Sequence, residues 1–132
     1  MSYQMWVQRF VGGGPAPLLG AAFEAVFGPY VDRLEPEFGC AHVTVPDGGD
    51  ATFYGALSDV EFDSLMISHF SPGQVLDLLV EFARRADAVV IPPDCPTMLT
   101  VEDQRDDLPQ ELRAEAVVVA DGAGVDAVLA AG

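Results

Sequence analysis

The sequence predicts a single α+β domain over residues 1–132, with a mixed β-sheet of about six strands, two main helices packed on it and a short C-terminal helix. Residues 62–92 read as strand, amphipathic helix and second strand. Half of the residues (50%) are hydrophobic, enough for a core without disulfides or metal. No internal repeat or linker divides the chain. The expected order is strand, helix, three strands, helix, strand, loop, strand, helix.

The N-terminal part begins with a strand and a helix. Residues 3–11 alternate between two faces and are rich in aromatic and β-branched types, which favours a strand. Glycines and a proline at 12–15 interrupt it. From Leu18 onward, apolar residues recur at helical spacing until Gly28-Pro29, where we expect the helix to end. Residues 32–37 are charged and contain a proline, and are predicted to be a link.

A β-hairpin is predicted next. Its arms are residues 38–45 and 51–57, which alternate apolar and polar side chains. The connecting residues 46–50 include two glycines, which adopt the positive φ that a tight turn needs. After residues 58–61, a further strand opens the central strand–helix–strand unit, with Leu65, Ile67 and His69 on one side and Met66 and Phe70 on the other.

The central helix has the strongest local signals. Ser71 is predicted as its N-cap, Pro72 suits the first helical position, and Gln74 completes a capping box. Apolar residues then recur every three or four positions up to Ala86. The apolar run 88–91 predicts a strand covered on both faces, parallel to the preceding strand if both belong to one sheet.

The C-terminal third changes character. Residues 92–109 contain four prolines and predict the longest irregular segment, where Thr100 and Asp103 would cap one helical turn. Residues 114–120 predict a strand, and Asp121 is predicted to cap the final helix. Long ordered loops in small domains often carry function, so this segment is a candidate binding region.

Charge is the most unusual bulk property. The chain has 21 acidic residues, 6 basic residues that are all arginine, and a formal net charge of −15. Such a surface repels nucleic acids and anionic membranes and attracts basic partners. The alternative is codon bias against lysine or adaptation to salt, with acidity serving only solubility. The predicted partner-binding residues are Asp94, Glu102, Asp103, Asp106 and Asp107.

Cysteine and histidine are rare, and Cys40, His42, His69 and Cys95 are the full set. A metal site on Cys40, His42 and His69 is one hypothesis, because the first two project from one face of a strand. No CxxC or HxxxH spacing accompanies it. A nucleophile pair of Cys40 or Cys95 with His69, assisted by Asp94, is another. The alternative is that all four are ordinary, partly buried residues with free thiols.

Two further patterns resemble ligand sites. Glycines 12–14 before a helix would suit an anion, but Pro17 occupies the third glycine position of the dinucleotide motif and no Gly-Lys-Ser/Thr sequence follows. Asp59, Glu61 and Asp63 alternate as paired carboxylates do in cation or acid–base sites, although such acids more often form a solvated rim. We predict no cofactor.

Several short segments carry a resemblance that spans most of the chain. They are residues 2–10 (SYQMWVQRF), Phe27-Gly28-Pro29-Tyr30, Cys95-Pro96 and Leu108-Pro109. In these the chain resembles a family of small uncharacterised bacterial proteins from high-GC genomes. The resemblance implies a compact α+β domain and an intracellular location, and it brings no assigned activity or catalytic residue.

The leading hypothesis is a non-enzymatic, cytoplasmic interaction module, similar in kind to small acidic immunity proteins, that binds a basic protein partner. The N-terminal residues show no secretory pattern, and no apolar run has membrane length, which favours the cytoplasm. The alternative is a small metal-binding protein or enzyme that uses the Cys/His set or the acidic loop. A third hypothesis is a homo-oligomeric subunit joined through Trp6 and Phe10.

Overall fold

The computed structural model describes residues 3–57 and 59–131, which form one mixed α+β domain. The large sheet has nine strands, more than the six or so that the sequence predicts. The strands are β1 (Gln4–Val11), β2 (Gly14–Ala16), β3 (Leu18–Leu19), β4 (Val31–Glu35), β5 (Cys40–Thr44), β6 (Asp50–Tyr54), β7 (Glu61–Phe62), β8 (Leu65–Ser68), β9 (Val89–Ile91), β10 (Met98–Leu99) and β11 (Val117–Val118). The helices are α1 (Gly20–Phe27), α2 (Gln74–Ala86), α3 (Gln110–Arg113) and α4 (Gly122–Ala131), with 3₁₀ helices at Gly28–Tyr30, Pro36–Phe38 and Glu102–Asp107.

The strand order of the large sheet is β11-β10-β9-β1-β8-β6-β5-β4, and β2 pairs with β1 as a hairpin. Neighbouring strands are antiparallel except β10 and β11. Both β8 and β9 run antiparallel to β1, which lies between them. They are therefore parallel to each other, as predicted, with β1 inserted between the two strands that α2 connects.

One face of the sheet carries the main core. Cross-strand neighbours along this face, Met5, Ile67, Phe53 and Ala41, are fully buried. The helices α1, α2 and α4 cover them, and α2 contacts both of the others. Leu34 of β4 continues the same row beside Ala41, but half of its surface (50%) is exposed. The row of buried side chains therefore ends at β4, where the side chain of Leu34 is exposed to solvent.

The other face is covered at one end only. Around Val89, a second cluster joins residues from the sheet to the segment before β11, and Phe10 packs against it. Further along this face Trp6 and Tyr54 stay 40% and 37% exposed. Of the two aromatic residues predicted to form an exposed contact, Trp6 is exposed and Phe10 is half-buried.

The start of α2 differs from the prediction. The helix begins at Gln74, after Gly73 with a φ of 88°, and Ser71 does not cap it. The Ser71 hydroxyl instead bonds to Asp50, while the Gln74 amide donates to Asp47 Oδ2 at 2.9 Å. This amide, and then that of Gly49, lowers the pKa of the Asp47 carboxyl. The β5–β6 turn supplies the cap because the fold brings it beside the helix.

The segment 92–109 is more ordered than predicted, because it contains β10 and a 3₁₀ helix. The side chain that makes the hydrogen bonds holding this segment is that of the buried Gln104, not that of Asp103. Gln104 Oε1 accepts the amide of Thr100 at 2.8 Å, and its Nε2 donates to the carbonyl of Ala88 at 3.1 Å. The longer amide side chain reaches both the turn and the neighbouring strand, which Asp103 cannot do.

The last helix begins as predicted. The carboxylate of Asp121 accepts the amide of Gly124 at 3.0 Å, which confirms it as the N-cap. The Gly122 amide donates to Asp77 at 2.8 Å and so connects α4 to α2. A Cβ at Gly122 would lie 2.6 Å from the Asp77 nitrogen, so this approach requires glycine. Across 3–57 and 59–131, no helix is both long and apolar enough to cross a bilayer.

Candidate partner-binding site at the β4 edge

The segment 32–37, predicted as a charged link, is mostly the edge strand β4. The sequence pattern hides this strand because Asp32, Arg33 and Glu35 interrupt its apolar residues. The pairing with β5 shifts by one residue between Val31 and Arg33, so Asp32 is an inserted, bulged residue. Short length, charge and a bulge are the usual protections of an exposed sheet edge. Among the described residues no strand pairs with the outer side of β4.

The hydrogen-bond pattern of the neighbouring hairpin fixes which backbone groups of β4 face outward. The Val45 amide donates to the Gly49 carbonyl at 2.9 Å, so Val45 bonds toward β6. Bonded and non-bonded pairs alternate along an antiparallel ladder, and Ala41, four residues earlier, therefore also bonds toward β6. Leu34 lies opposite Ala41. Its N–H and C=O consequently point away from β5, to the open edge.

A cavity of about 440 Å³ opens between α1 and β4, and we call it the β4-edge cavity. Its lining is divided about equally between apolar and polar surface, and the exposed side chain of Leu34 forms its lip. Two carboxylates, Glu24 and Asp59, also line it. The apolar lining residues are Phe23, Val31, Leu34, Ala41 and Leu57.

Close backbone packing places Asp59 against the start of α1. The Gly20 amide donates to the carbonyl of Val60 at 2.8 Å. A Cβ at Gly20 would lie 2.3 Å from the Asp59 carbonyl oxygen, so only glycine allows this approach. The first residue of α1 and the loop after β6 are thereby held together, with Glu24 one turn further along the helix.

Within the described residues neither Glu24 nor Asp59 has a cationic partner. All six arginines are engaged elsewhere, five with acids and Arg113 with the Leu108 carbonyl at 2.9 Å. The β4-edge cavity therefore combines an apolar wall with uncompensated negative charge, which is the chemistry that receives an alkyl chain ending in a cation. The five arginine–acid pairs are Arg9–Asp87, Arg33–Glu35, Arg84–Glu81, Arg85–Glu81 and Arg105–Glu102.

A polar cluster on the opposite face holds the bulge of β4 in place. His42 Nδ1 lies 2.8 Å from Asp32 Oδ1, and its Nε2 lies 3.1 Å from Asp50 Oδ2. Thr44 donates to the other oxygen of Asp32. The bond to Asp32 raises the pKa of His42, Asp50 adds to this, and partial burial opposes it. The Thr44 and His42 bonds in turn lower the pKa of Asp32.

A second cavity, of about 290 Å³, adjoins the first near the ends of β4, β5 and β6. It shares Leu34, Leu57 and Asp59 with the β4-edge cavity, and half-buried Cys40 lines it. Two adjoining cavities therefore lie along the β4 edge.

The predicted metal ligands Cys40, His42 and His69 are not brought together. In the part of the chain that the structure describes, no three His, Cys, Asp or Glu side chains are arranged to hold a metal ion. Both ring nitrogens of His42 are engaged by aspartates. His69 lines a separate cavity of about 360 Å³ with Tyr3 and Phe70, and its φ is 51°.

Cys95 contacts a tyrosine. The Tyr3 hydroxyl donates to the Pro93 carbonyl at 3.0 Å and lies 3.8 Å from Cys95 Sγ. Burial, followed by the contact with Cys95, raises the pKa of Tyr3 to about 12, so this hydroxyl stays protonated. No hydrogen bond joins His69 to Cys40 or Cys95 within residues 3–57 and 59–131, and both thiols are free.

The predicted acidic loop is partly used by the fold. Glu102 pairs with Arg105, and the bond lowers the pKa of the Glu102 carboxyl. Asp107 accepts the Gly12 amide on Oδ1 and the Gly13 amide on its carbonyl, both at 3.0 Å. The remaining predicted partner-binding residues, Asp94, Asp103 and Asp106, are exposed.

The prediction of an anion site at the N-terminal glycines is wrong, because the hydrogen bonds to Asp107 already engage these amides. Gly12 and Gly13 have φ values of 61° and 86° and form the turn between β1 and β2 rather than a strand-to-helix loop. Positive φ at both central residues is the requirement of a two-residue hairpin turn. The carboxylate and carbonyl of Asp107 already occupy their amides.

Comparison of the chain with protein-family models, with curated proteins and with solved structures finds no match in any of the three. The resemblance to small proteins of high-GC genomes therefore stays a prediction. The candidate site is therefore identified by its geometry and its charge.

Proposed function

We propose that this protein is a non-enzymatic interaction module that binds a basic protein partner at the β4 edge. The observation that carries the proposal is the β4-edge cavity, a space of about 440 Å³ whose lining combines apolar side chains with the carboxylates of Glu24 and Asp59. A lysine or arginine of a partner would pack its alkyl chain on the apolar wall and place its charge near these carboxylates. The net charge of −15 would steer such a partner toward the surface.

This function is of the kind that immunity proteins perform when they neutralise a toxin. We further propose that the protein acts in the cytoplasm, because free, half-buried Cys40 and Cys95 fit a reducing compartment. The exposed acids Asp103 and Asp106 would contribute long-range attraction rather than the specific contact.

The test is a capture experiment from lysate of the native host at about 0.1 M salt and again at about 1 M, where the Debye length falls from about 10 Å to about 3 Å. The double variant Glu24→Gln/Asp59→Asn removes the two carboxylates of the cavity. Glu111→Gln/Glu115→Gln is the matched control, because it removes the same charge from exposed positions near the other end of the sheet.

We expect one basic protein to be retained by the wild type and the control at low salt, released at high salt, and retained at least about tenfold less by the cavity variant. Equal capture by the cavity variant would refute the site. Retention that is unchanged at high salt would refute the electrostatic basis of binding.

A further inference from the structure

We propose that the partner contributes an extended strand that pairs antiparallel with β4 and sends a lysine or arginine side chain into the β4-edge cavity. This inference rests on the proposed function and adds the binding mode and the chemical pattern of the partner segment. Strand addition at a free sheet edge is a recurring mode of peptide recognition, in which main-chain bonds give affinity and alternate side chains give specificity.

The backbone of β4 supports the pairing. Leu34 directs its N–H and C=O outward, and Arg33 and Glu35 on either side of it bond inward to β5. An added strand would therefore bond to Leu34 without disturbing an existing ladder. Antiparallel addition continues the arrangement of the sheet from β9 to β4, in which every neighbouring pair is antiparallel.

The side chains of β4 fix the pattern of the added strand. Directly opposed residues of two paired strands project from the same face. The residue opposite Leu34 would thus extend along the core face, over the mouth of the β4-edge cavity. Its alkyl chain would contact Phe23 and Val31, and its cation would lie within reach of Glu24 or Asp59. Its two neighbours would project toward the opposite face of the sheet, which carries His42.

Charge argues against a second copy of this chain as the occupant. Edge-to-edge pairing of two β4 strands would bring Asp32, Glu24 and Asp59 of both copies close together, in a chain whose net charge is −15. Like charges at such distances are repulsive, whereas a basic strand neutralises them. The bulge and charges of β4 protect it from indiscriminate pairing and leave a basic segment as the complementary occupant.

The experiment uses the full chain and an end-blocked peptide of about ten residues in which lysine and valine alternate in equal numbers. Its binding is measured by calorimetry beside two N-methylated variants of the same peptide, which are isomers of each other and carry the same charge. One is N-methylated at the lysine amides, which face β4 when lysines enter the cavity in an antiparallel pair. The other is N-methylated at the valine amides, which face away. Non-specific attraction to an acidic protein would affect all three peptides equally.

We expect the lysine-methylated peptide to bind at least about tenfold more weakly than the parent, and the valine-methylated peptide to bind within about threefold of it. Equal binding of all three would overturn strand pairing. Selective loss with the valine-methylated peptide would overturn the antiparallel orientation.

Hydrogen exchange at the Leu34 amide gives a second readout on the protein side. We expect exchange at this amide to slow at least about tenfold in the complex, because the partner strand covers it. Slow exchange at Leu34 without peptide, together with a dimer in sedimentation, would show that a second copy occupies the edge and overturn the proposal. L34P removes the outward N–H and L34A keeps it; we expect L34P to bind the peptide at least about threefold more weakly than L34A.

The two proposals fail in different ways. If the lysine–valine peptide binds regardless of N-methylation while Glu24→Gln/Asp59→Asn still abolishes capture of the partner, the binding site stands and strand addition is wrong. If that double variant captures the partner normally, the function assigned to the cavity is wrong, whatever the peptides do.

Discussion

The large sheet is covered differently near its two edges. Toward β11, the segment before that strand adds Leu108 to the second cluster, so that Val89 of β9 and Leu99 of β10 are only 2% and 0% exposed, although Val118 of the edge strand itself is 47% exposed. We call this β9–β10 region the closed end. At the β4 edge, the open end, Leu34 is 50% exposed, and within the described residues no segment covers its row. The closed end serves stability, and the open end is where recognition is expected.

The largest expected effect is at the closed end. Leu108→Ala removes a fully buried side chain from the second cluster, and we expect the free energy of unfolding to fall by about 2–5 kcal/mol. Urea unfolding measures this. Capture of the basic partner by the folded fraction should be unchanged. A cost below about 1 kcal/mol would mean that this end is not a packed core.

A smaller effect on stability is expected when His42, in the polar cluster beside β4, titrates with pH. The contacts with Asp32 and Asp50 raise the pKa of His42 in the folded state. These contacts therefore stabilise the folded protein fully below the pKa of histidine in the unfolded chain, about 6.5, and this stabilisation is lost as the pH rises through the folded-state pKa of His42. We expect the midpoint of thermal unfolding to fall by at most about 5 °C between pH of about 6 and about 8.

His42→Gln should flatten that slope, which thermal unfolding at stepped pH would show. The carboxyl pKa values of Asp32 and Asp47 are lowered, so their stabilisation is present above about pH 4 and is lost as pH falls through the folded values. An identical slope above pH 6 in the variant would exclude His42 as its source.

The smallest effect on stability is expected at the open end itself. Leu34→Ala shortens a side chain that is already 50% exposed, and we expect unfolding in urea to change by only about 0.5 kcal/mol. The same variant should bind the lysine–valine peptide more weakly, because it removes the lip of the β4-edge cavity. A stability loss comparable to that of Leu108→Ala would show that something covers Leu34 in solution.

Elements with local signals were predicted from the sequence. The amphipathic pattern of α2, the glycine turn between β5 and β6, and the Asp121 cap all depend on residues close together in the chain. The α2 cap was not predicted, because Asp47 lies far from Gln74 in sequence and becomes its neighbour only through the fold. Gln104 was missed for the same reason, since one of its partners is Ala88.

The candidate site was less predictable than the fold. Asp59 belongs to an alternating acidic pattern that the sequence shows, but Glu24 is one exposed residue of an ordinary helix. Leu34 looked like an isolated apolar residue in a charged link because an edge strand has one neighbour instead of two and needs less apolar character. Only the fold, which places α1 and the loop after β6 beside β4, brings the three residues to one cavity.

The central position of β1 has a consequence for the order in which the sheet assembles. β1 is synthesised before both of its central neighbours, β8 (Leu65–Ser68) and β9 (Val89–Ile91). Until those residues have left the ribosome, the adjacent β2 is the only one of its partners in the described sheet that exists. Contacts between such distant segments form slowly. β1 therefore gains its two central neighbours late, and until then its pairing within the described sheet is limited to the β1–β2 hairpin, which is only marginally stable by itself.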